Sequence, residues 1–110
     1  MSVSIDMTGC VSIVTGGGRG VGLGITQAFL DAGAEVVICG RNEPDALPSV
    51  AGRTAVFVAA DVREVEQIQN VVKFTTDRFG RLDTLINNAG GSPAADAATV
   101  SPRFSEKILA

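Results

Sequence analysis

The 110-residue sequence contains no histidine, no tyrosine and no tryptophan. Without His or Tyr it lacks two of the side chains that most often exchange protons in catalysis, and no residue of the chain is assigned a catalytic or metal-binding role. Aromatic residues make up only 5% and are all Phe, so there is little for nucleobases to stack on. The net charge of −3 leaves no basic footprint either, and a nucleic-acid partner is not expected. No window approaches membrane-spanning length, and Met1 to Gly9 is polar, without the basic cluster and apolar core of a leader. No membrane partner is expected, and the chain reads as cytoplasmic. Cysteine is scarce: Cys10 would begin the first strand and Cys39 close the second, roughly 13 Å apart at 3.3 Å per residue. That is beyond disulfide reach, and both read as small apolar residues in a reducing compartment.

What the chain does have is glycine, 13 in all, concentrated in Thr15-Gly16-Gly17-Gly18-Arg19-Gly20-Val21-Gly22. The apolar run Cys10 to Val14 precedes this stretch and Leu23 to Ala32 follows it. A strand ending in a turn almost without side chains lets a diphosphate approach the backbone. The helix that follows aims its free N–H groups and positive dipole end at the charge.

The remaining pattern alternates strand and helix. Val21, Ile25, Ala28, Phe29 and Ala32 follow helical spacing, with Gly33 placed to end that helix. Val36 to Cys39 reads as a second buried strand, Ala55 to Ala59 as a third and Leu82 to Ile86 as a fourth. Between the second and third strands, Pro44, Pro48 and Gly52 leave space for only a turn or so of helix. From Glu64 to Phe79, Val65, Ile68, Val72 and Phe79 mark one face of an amphipathic helix that Gly80 ends. Residues 92 to 99 read as a loop, and a further helix is expected to begin at Ser101-Pro102. Four such strands normally belong to an open α/β sheet covered on both faces, which usually needs more chain than this.

Glycine spacing discriminates among phosphate binders. A Walker loop requires Lys and then Ser or Thr after its last glycine, but Leu23-Gly24 follow Gly22. The Gly-x-Gly-x-x-Gly fingerprint fits no register, because the sixth position is always occupied by another residue type. Thr-Gly-x-x-x-Gly-x-Gly does fit, from Thr15 to Gly22. Asp61-Val62 follows the third strand, and Asn87-Asn88-Ala89-Gly90 follows the fourth. Together these motifs resemble those of the classical short-chain dehydrogenases/reductases, and the likeness runs from Gly9 to about Leu109.

The resemblance implies a Rossmann-type, doubly wound parallel α/β sheet, present here as its first four strands and their helices. Residues 1–110 would then be the N-terminal cofactor-binding part of a single domain. The C-terminal catalytic part, with its Ser and Tyr-x-x-x-Lys residues, would lie outside this chain. By the same resemblance Gly16, Gly18, Gly20 and Val21 wrap the cofactor diphosphate, and Gly22 permits close packing of helix on strand. Asp61 accepts from the adenine amino group, and Val62 offers backbone contact. Asn88, Ala89 and Gly90 line the ribose side, while Thr15 and Asn87 tie strand ends together. The implied activity is hydride transfer between a nicotinamide cofactor and a carbonyl or alcohol substrate, in a homodimer or homotetramer.

Cofactor preference turns on the end of the second strand. An acidic residue there holds the ribose hydroxyls of NAD, whereas an Arg pairs with the 2′-phosphate of NADP. Here Gly40 stands at the acidic position, Arg41 follows it, and Arg19 lies within the glycine loop. NADP(H) is the expected cofactor, with NAD as the alternative. Several plainer readings remain open: Asp61 as a cap for the helix after it, Asn87-Asn88 as a simple turn, and Arg41 as a solvated side chain beside Glu43 and Asp45. So does a non-catalytic dinucleotide sensor. An S-adenosylmethionine-dependent transferase fits less well, because Thr15 stands where such loops usually carry an acid.

Overall fold

All five residues of Val11–Thr15 are buried, which is what a parallel strand covered on both faces requires. The computed structural model describes residues 5–88. In chain order its elements are β1 (Val11–Thr15), α1 (Gly20–Asp31), β2 (Glu35–Gly40), β3 (Ser49–Val50), β4 (Arg53–Thr54), β5 (Val56–Ala59), α2 (Val65–Phe79) and β6 (Thr84–Ile86). Four strands form one sheet in the order β5-β2-β1-β6, and every pairing within it is parallel. The register sets Thr15 beside Cys39 and Val14 beside Ile86. The sheet is therefore the expected incomplete doubly wound one, although individual strand ends shift by one or two residues. The helix expected from Ser101 lies outside the described residues.

Alternation along the strands divides the core in two. Val14, Val36 and Ile38 face α1 and pack with Leu30 and Ala34, while Ile25 and Phe29 close the edge. Ile13, Val37 and Cys39 face the other way and pack against Val71 of α2, with Val72 and Phe74 alongside. Each buried Val, Ile or Leu stabilises the fold by roughly 1.5–3 kcal/mol relative to an exposed one, so both helices are held mainly by these contacts. Burial also pushes the Cys39 thiol up to about 11, keeping it protonated at neutral pH. Cys10 and Cys39 are both free, and Cys10, just before β1, is half-buried. Among the described residues, no helix is long and apolar enough to cross a membrane.

The buried face of α1 differs from the one its hydropathy suggests. Gly22, Thr26 and Leu30 are the buried residues, whereas Val21 is 74% exposed and Ala28 is also exposed. The row that meets the sheet runs at i, i+4 and i+8, and its leading end lies so close to the glycine loop that only small residues fit there. Apolar spacing cannot reveal such a row. At the other end, the Gly33 N–H donates to the Leu30 carbonyl (3.0 Å) and the Ala34 N–H to the Phe29 carbonyl (3.0 Å). This bond pair defines a Schellman stop. Helix α2 buries Ile68, Val71 and Thr75, leaves Val65 half exposed, and ends at a left-handed Gly80.

No helix forms between β2 and β5. Instead β3 and β4 make a small antiparallel hairpin in which Ser49 pairs with Thr54. Its two turn residues, Ala51 and Gly52, have φ of 57° and 79°, the geometry of a type I′ turn. Pro44 and Pro48 remove the donors that a helix here would need. The segment is fixed by the Ala55 N–H to the Pro48 carbonyl (2.9 Å) and by an Arg53–Glu35 ion pair (2.9 Å).

Asp83 ties β6 to β1 at the start of their pairing. Its N–H donates to the Val11 carbonyl, and its carboxylate accepts the Val11 N–H, both at 2.8 Å. Hydrogen bonds from Arg81, and then from the Val11 N–H, hold its carboxyl below the ordinary value of 3.8. A depressed folded-state pKa stabilises the fold above the unfolded value, and that contribution is lost as the pH falls below it. Asp83→Ala is expected to cost about 1 kcal/mol at pH 7 in urea unfolding. The gap from wild type should narrow as the pH falls below 4; a gap independent of pH would argue against the carboxylate as its source.

Candidate functional site

The chain reverses direction across the sheet at β1: β2 lies on one side and β6 on the other. In open α/β sheets this switch point leaves a crevice at the carboxyl ends of the strands. A cleft of about 850 Å³ opens there. Gly16 lines it from the end of β1, Ile38 to Arg41 from β2, Ala60 to Arg63 from the segment after β5, and Asn88 from beyond β6. Its volume falls within the range of sites that hold small molecules and cofactors.

The glycine loop forms one wall. Gly16 and Gly20 adopt φ of 65° and 58°, left-handed values that bend the chain out of β1 and into α1. Gly22 is pinned by its surroundings: a Cβ there would run into the Gly16 carbonyl and come within 2.5 Å of the Asn88 side-chain nitrogen. The close packing expected of Gly22 is thus against the loop and Asn88. A Cβ at Gly17 would lie 2.5 Å from Ile38 and 2.7 Å from the Thr26 hydroxyl, and one at Gly18 would lie 3.1 Å from Pro44. The loop is packed from behind and from the side.

Helix α1 begins immediately after this loop. Arg19, at its N-cap, makes no side-chain capping bond, and the first turn carries no acidic residue. The first N–H groups of a helix have no partner within it, and together with the dipole they favour an anion. These features fit the diphosphate of a dinucleotide: an uncapped helix start, a bend that tolerates no side chain at Gly22, and a cleft in front of both.

Thr15 and the Asn87 pair close the junction between β1 and β6. The Thr15 hydroxyl accepts the Asn88 N–H at 2.8 Å and lies 3.4 Å from the Ile86 carbonyl and 3.3 Å from the Asn87 side-chain oxygen. Thr15 is buried, so these bonds fix the two strand ends relative to each other.

On the far side, Asp61 makes the densest polar contacts of the cleft. Its Oδ1 accepts the Arg63 N–H and Nε–H, both at 3.0 Å, and its Oδ2 accepts Nη2 at 2.8 Å. Its own N–H donates to Gln67 Oε1 at 2.5 Å. The Arg63 side chain first, then its backbone N–H, hold the Asp61 carboxyl down at about 2, with a smaller contribution from Arg41. The carboxylate is therefore charged at any physiological pH. Asp61 is not the cap of α2: Glu64 is its N-cap residue, and the Asp61 carboxylate accepts the Arg63 N–H ahead of the helix while its carbonyl accepts the Glu64 N–H.

Of the residues singled out in the sequence, Gly16, Gly18, Arg19, Gly20, Arg41, Asp61, Val62 and Asn88 line this one cleft. Val21 does not line it; its side chain points to solvent, and only its backbone belongs to the helix start. Ala89 and Gly90 lie outside the described residues. Arg63, which carries no role in the sequence analysis, and Pro44, which enters there only as a helix breaker, also line the cleft. The spacing Asp61-x-Arg63 just ahead of a helix carried a signal for the first, since an Asp at i accepts readily from residue i+2.

A parallel sheet with a crevice at its switch point is the arrangement of the open, doubly wound α/β folds, which bind ligands there. Residues 10–110 match the family model described as short chain dehydrogenase, and the chain belongs to that family. It is 43% identical over 100 residues to the L-fucose dehydrogenase of Bos taurus, covering 84% of this chain and 35% of that protein. It is 37% identical over 106 residues to a peroxisomal 2,4-dienoyl-CoA reductase of Arabidopsis thaliana, covering 92% of this chain and 36% of that one. Among solved structures it is similar to a short chain dehydrogenase from Bacillus anthracis, with a TM-score of 0.66 and 36% identity. That match covers 82% of this chain and 39% of the other. The chain spans about a third of the length of the curated relatives it matches.

Two glycines of α1 test the packing argument. Gly22→Ala should cost on the order of 1–3 kcal/mol, because the added methyl meets backbone that cannot yield. Gly24 has nothing within 4 Å of an added Cβ, so Gly24→Ala should stabilise by roughly 0.5–1 kcal/mol through helix propensity. Thermal or urea unfolding of both variants checks the contrast; equal effects would contradict the close approach at Gly22.

Proposed function

We propose that this chain is the cofactor-binding part of an oxidoreductase that prefers NADP(H) and acts on carbonyl or alcohol groups. The observation that carries this reading is the uncapped start of α1 behind a glycine bend, at the carboxyl edge of the sheet. Family membership and relatives named as dehydrogenases and reductases support it. Residues 1–110 are read as the N-terminal part of one domain, with the catalytic Ser, Tyr and Lys contributed by sequence beyond it. A cytoplasmic homodimer or homotetramer is the form we assign, and the two free cysteines agree with a reducing compartment.

The nicotinamide ring, when bound, supplies or accepts a hydride. This chain's residues bind and orient the rest of the cofactor. The backbone of Gly16, Gly18, Gly20 and Val21 would hold the diphosphate, with Gly22 and Asn88 locking the bend. Asp61 and Val62 would receive the adenine, and Asn88, Ala89 and Gly90 the neighbouring ribose.

Preference for NADP(H) rests on the end of β2. Gly40 has nothing within 4 Å of where a Cβ would stand, so the space that an acidic side chain would fill is open. Arg41 and Arg19 are exposed and line the same cleft. A guanidinium matches a phosphate through paired hydrogen bonds and repels nothing there.

Titration of the full-length protein with each reduced cofactor tests the proposal. NADPH should bind at least about tenfold more tightly than NADH, and Arg41→Ala should weaken NADPH while leaving NADH nearly unchanged. Gly40→Asp, which the open space accommodates, should reverse the preference. Equal or tighter NADH binding, insensitive to Arg41→Ala, would overturn it.

A further inference from the structure

Asp61 presents an arrangement that goes beyond a carboxylate lining a cleft. Three of its hydrogen bonds come from a single residue, Arg63: backbone N–H and Nε–H on Oδ1, and Nη2 on Oδ2. A carboxylate offers about four acceptor directions. Three are taken, and the one remaining belongs to Oδ2. The main chain beneath is fixed as well, because Gln67 accepts the Asp61 N–H through Oε1 and donates from Nε2 to Glu64 at 2.5 Å.

Exposure tells the two partners apart. The Asp61 side chain is 21% exposed, whereas that of Arg63 is 67% exposed. An ion pair this open adds little to stability. Its consequence is orientational: the Nε/Nη2 fork and the Arg63 N–H together prevent the carboxylate from turning about its own axis. Both residues line the cleft, as do Val62 and Arg41.

We infer that Arg63 is a positioning residue for base recognition: it turns the Asp61 carboxylate so that one acceptor direction, on Oδ2, is left for an exocyclic amino group. The site then selects a 6-aminopurine over a 6-oxopurine, whose carbonyl oxygen would meet the carboxylate as a second acceptor. The inference rests on the dinucleotide reading above and adds Arg63 to it. Arg41 is the other charged group whose field reaches Asp61, and it favours the same charged form. Glu64, beside Arg63, adds to the field that keeps the guanidinium charged, while its own carboxylate accepts from Gln67 Nε2.

The test is binding of NADPH and of its hypoxanthine analogue to the full-length protein, followed by fluorescence or calorimetry at pH 7. Wild type should prefer the adenine form at least about tenfold, the scale expected of one hydrogen bond to a charged group. Arg63→Ala should reduce that preference to less than about threefold while leaving affinity for the hypoxanthine form unchanged. Arg63→Lys keeps the charge but not the fork and should behave like Ala. If Arg63→Ala proves poorly folded, Arg63→Gln serves in its place, since it keeps much of the side-chain length while removing the charge and the Nε/Nη2 fork.

Full wild-type preference in Arg63→Ala would overturn the inference. Equal weakening of both analogues would also overturn it, assigning Arg63 to stacking on the base. If wild type bound both analogues equally well, only the role of Asp61 and Arg63 would fall. Failure to bind either would remove the dinucleotide reading itself.

Discussion

The approach of Gly22 to the Gly16 carbonyl is the contact on which the rest of the molecule turns. It brings the first turn of α1 against the loop that leaves β1, so the helix axis and the strand end are set by one van der Waals distance. From that follow the small-residue row Gly22, Thr26 and Leu30 along the buried face, the absence of a capping side chain at Arg19, and the direction in which the helix start points. The same glycine touches Asn88, which the buried Thr15 hydroxyl holds from the other side. Loop, helix and two strand ends thus form one rigid corner.

Around that corner the charges are arranged in two settings. Exposed Arg19 and Arg41 line the cleft together with the glycine loop; Asp61 lines it as a carboxylate held by Arg63.

Much of this was legible in the sequence. The continuous apolar runs announced parallel strands, and the interval Thr15 to Gly22 between a strand and a helix announced the loop, because backbone chemistry there demands particular residues at particular places. The relations between residues distant in sequence were not legible. Val21 looked like a core residue because periodicity counts apolar side chains, whereas the sheet selected Gly22 and Thr26 by size. The hairpin after β2 escaped notice because Ala51 gives no signal of a positive φ, and only its partner Gly52 does. Arg63 was passed over since a surface arginine ordinarily means nothing; its weight comes from the geometry of three bonds to one carboxylate.

The hairpin carries a consequence of its own. Pro48 and Ala55 are buried at its base and Val50 packs on the core beside α1, whereas the Ala51-Gly52 turn is exposed. Exposed turns accept extra or missing residues at small entropic cost. The chain can therefore be lengthened at this turn while the glycine corner keeps its form.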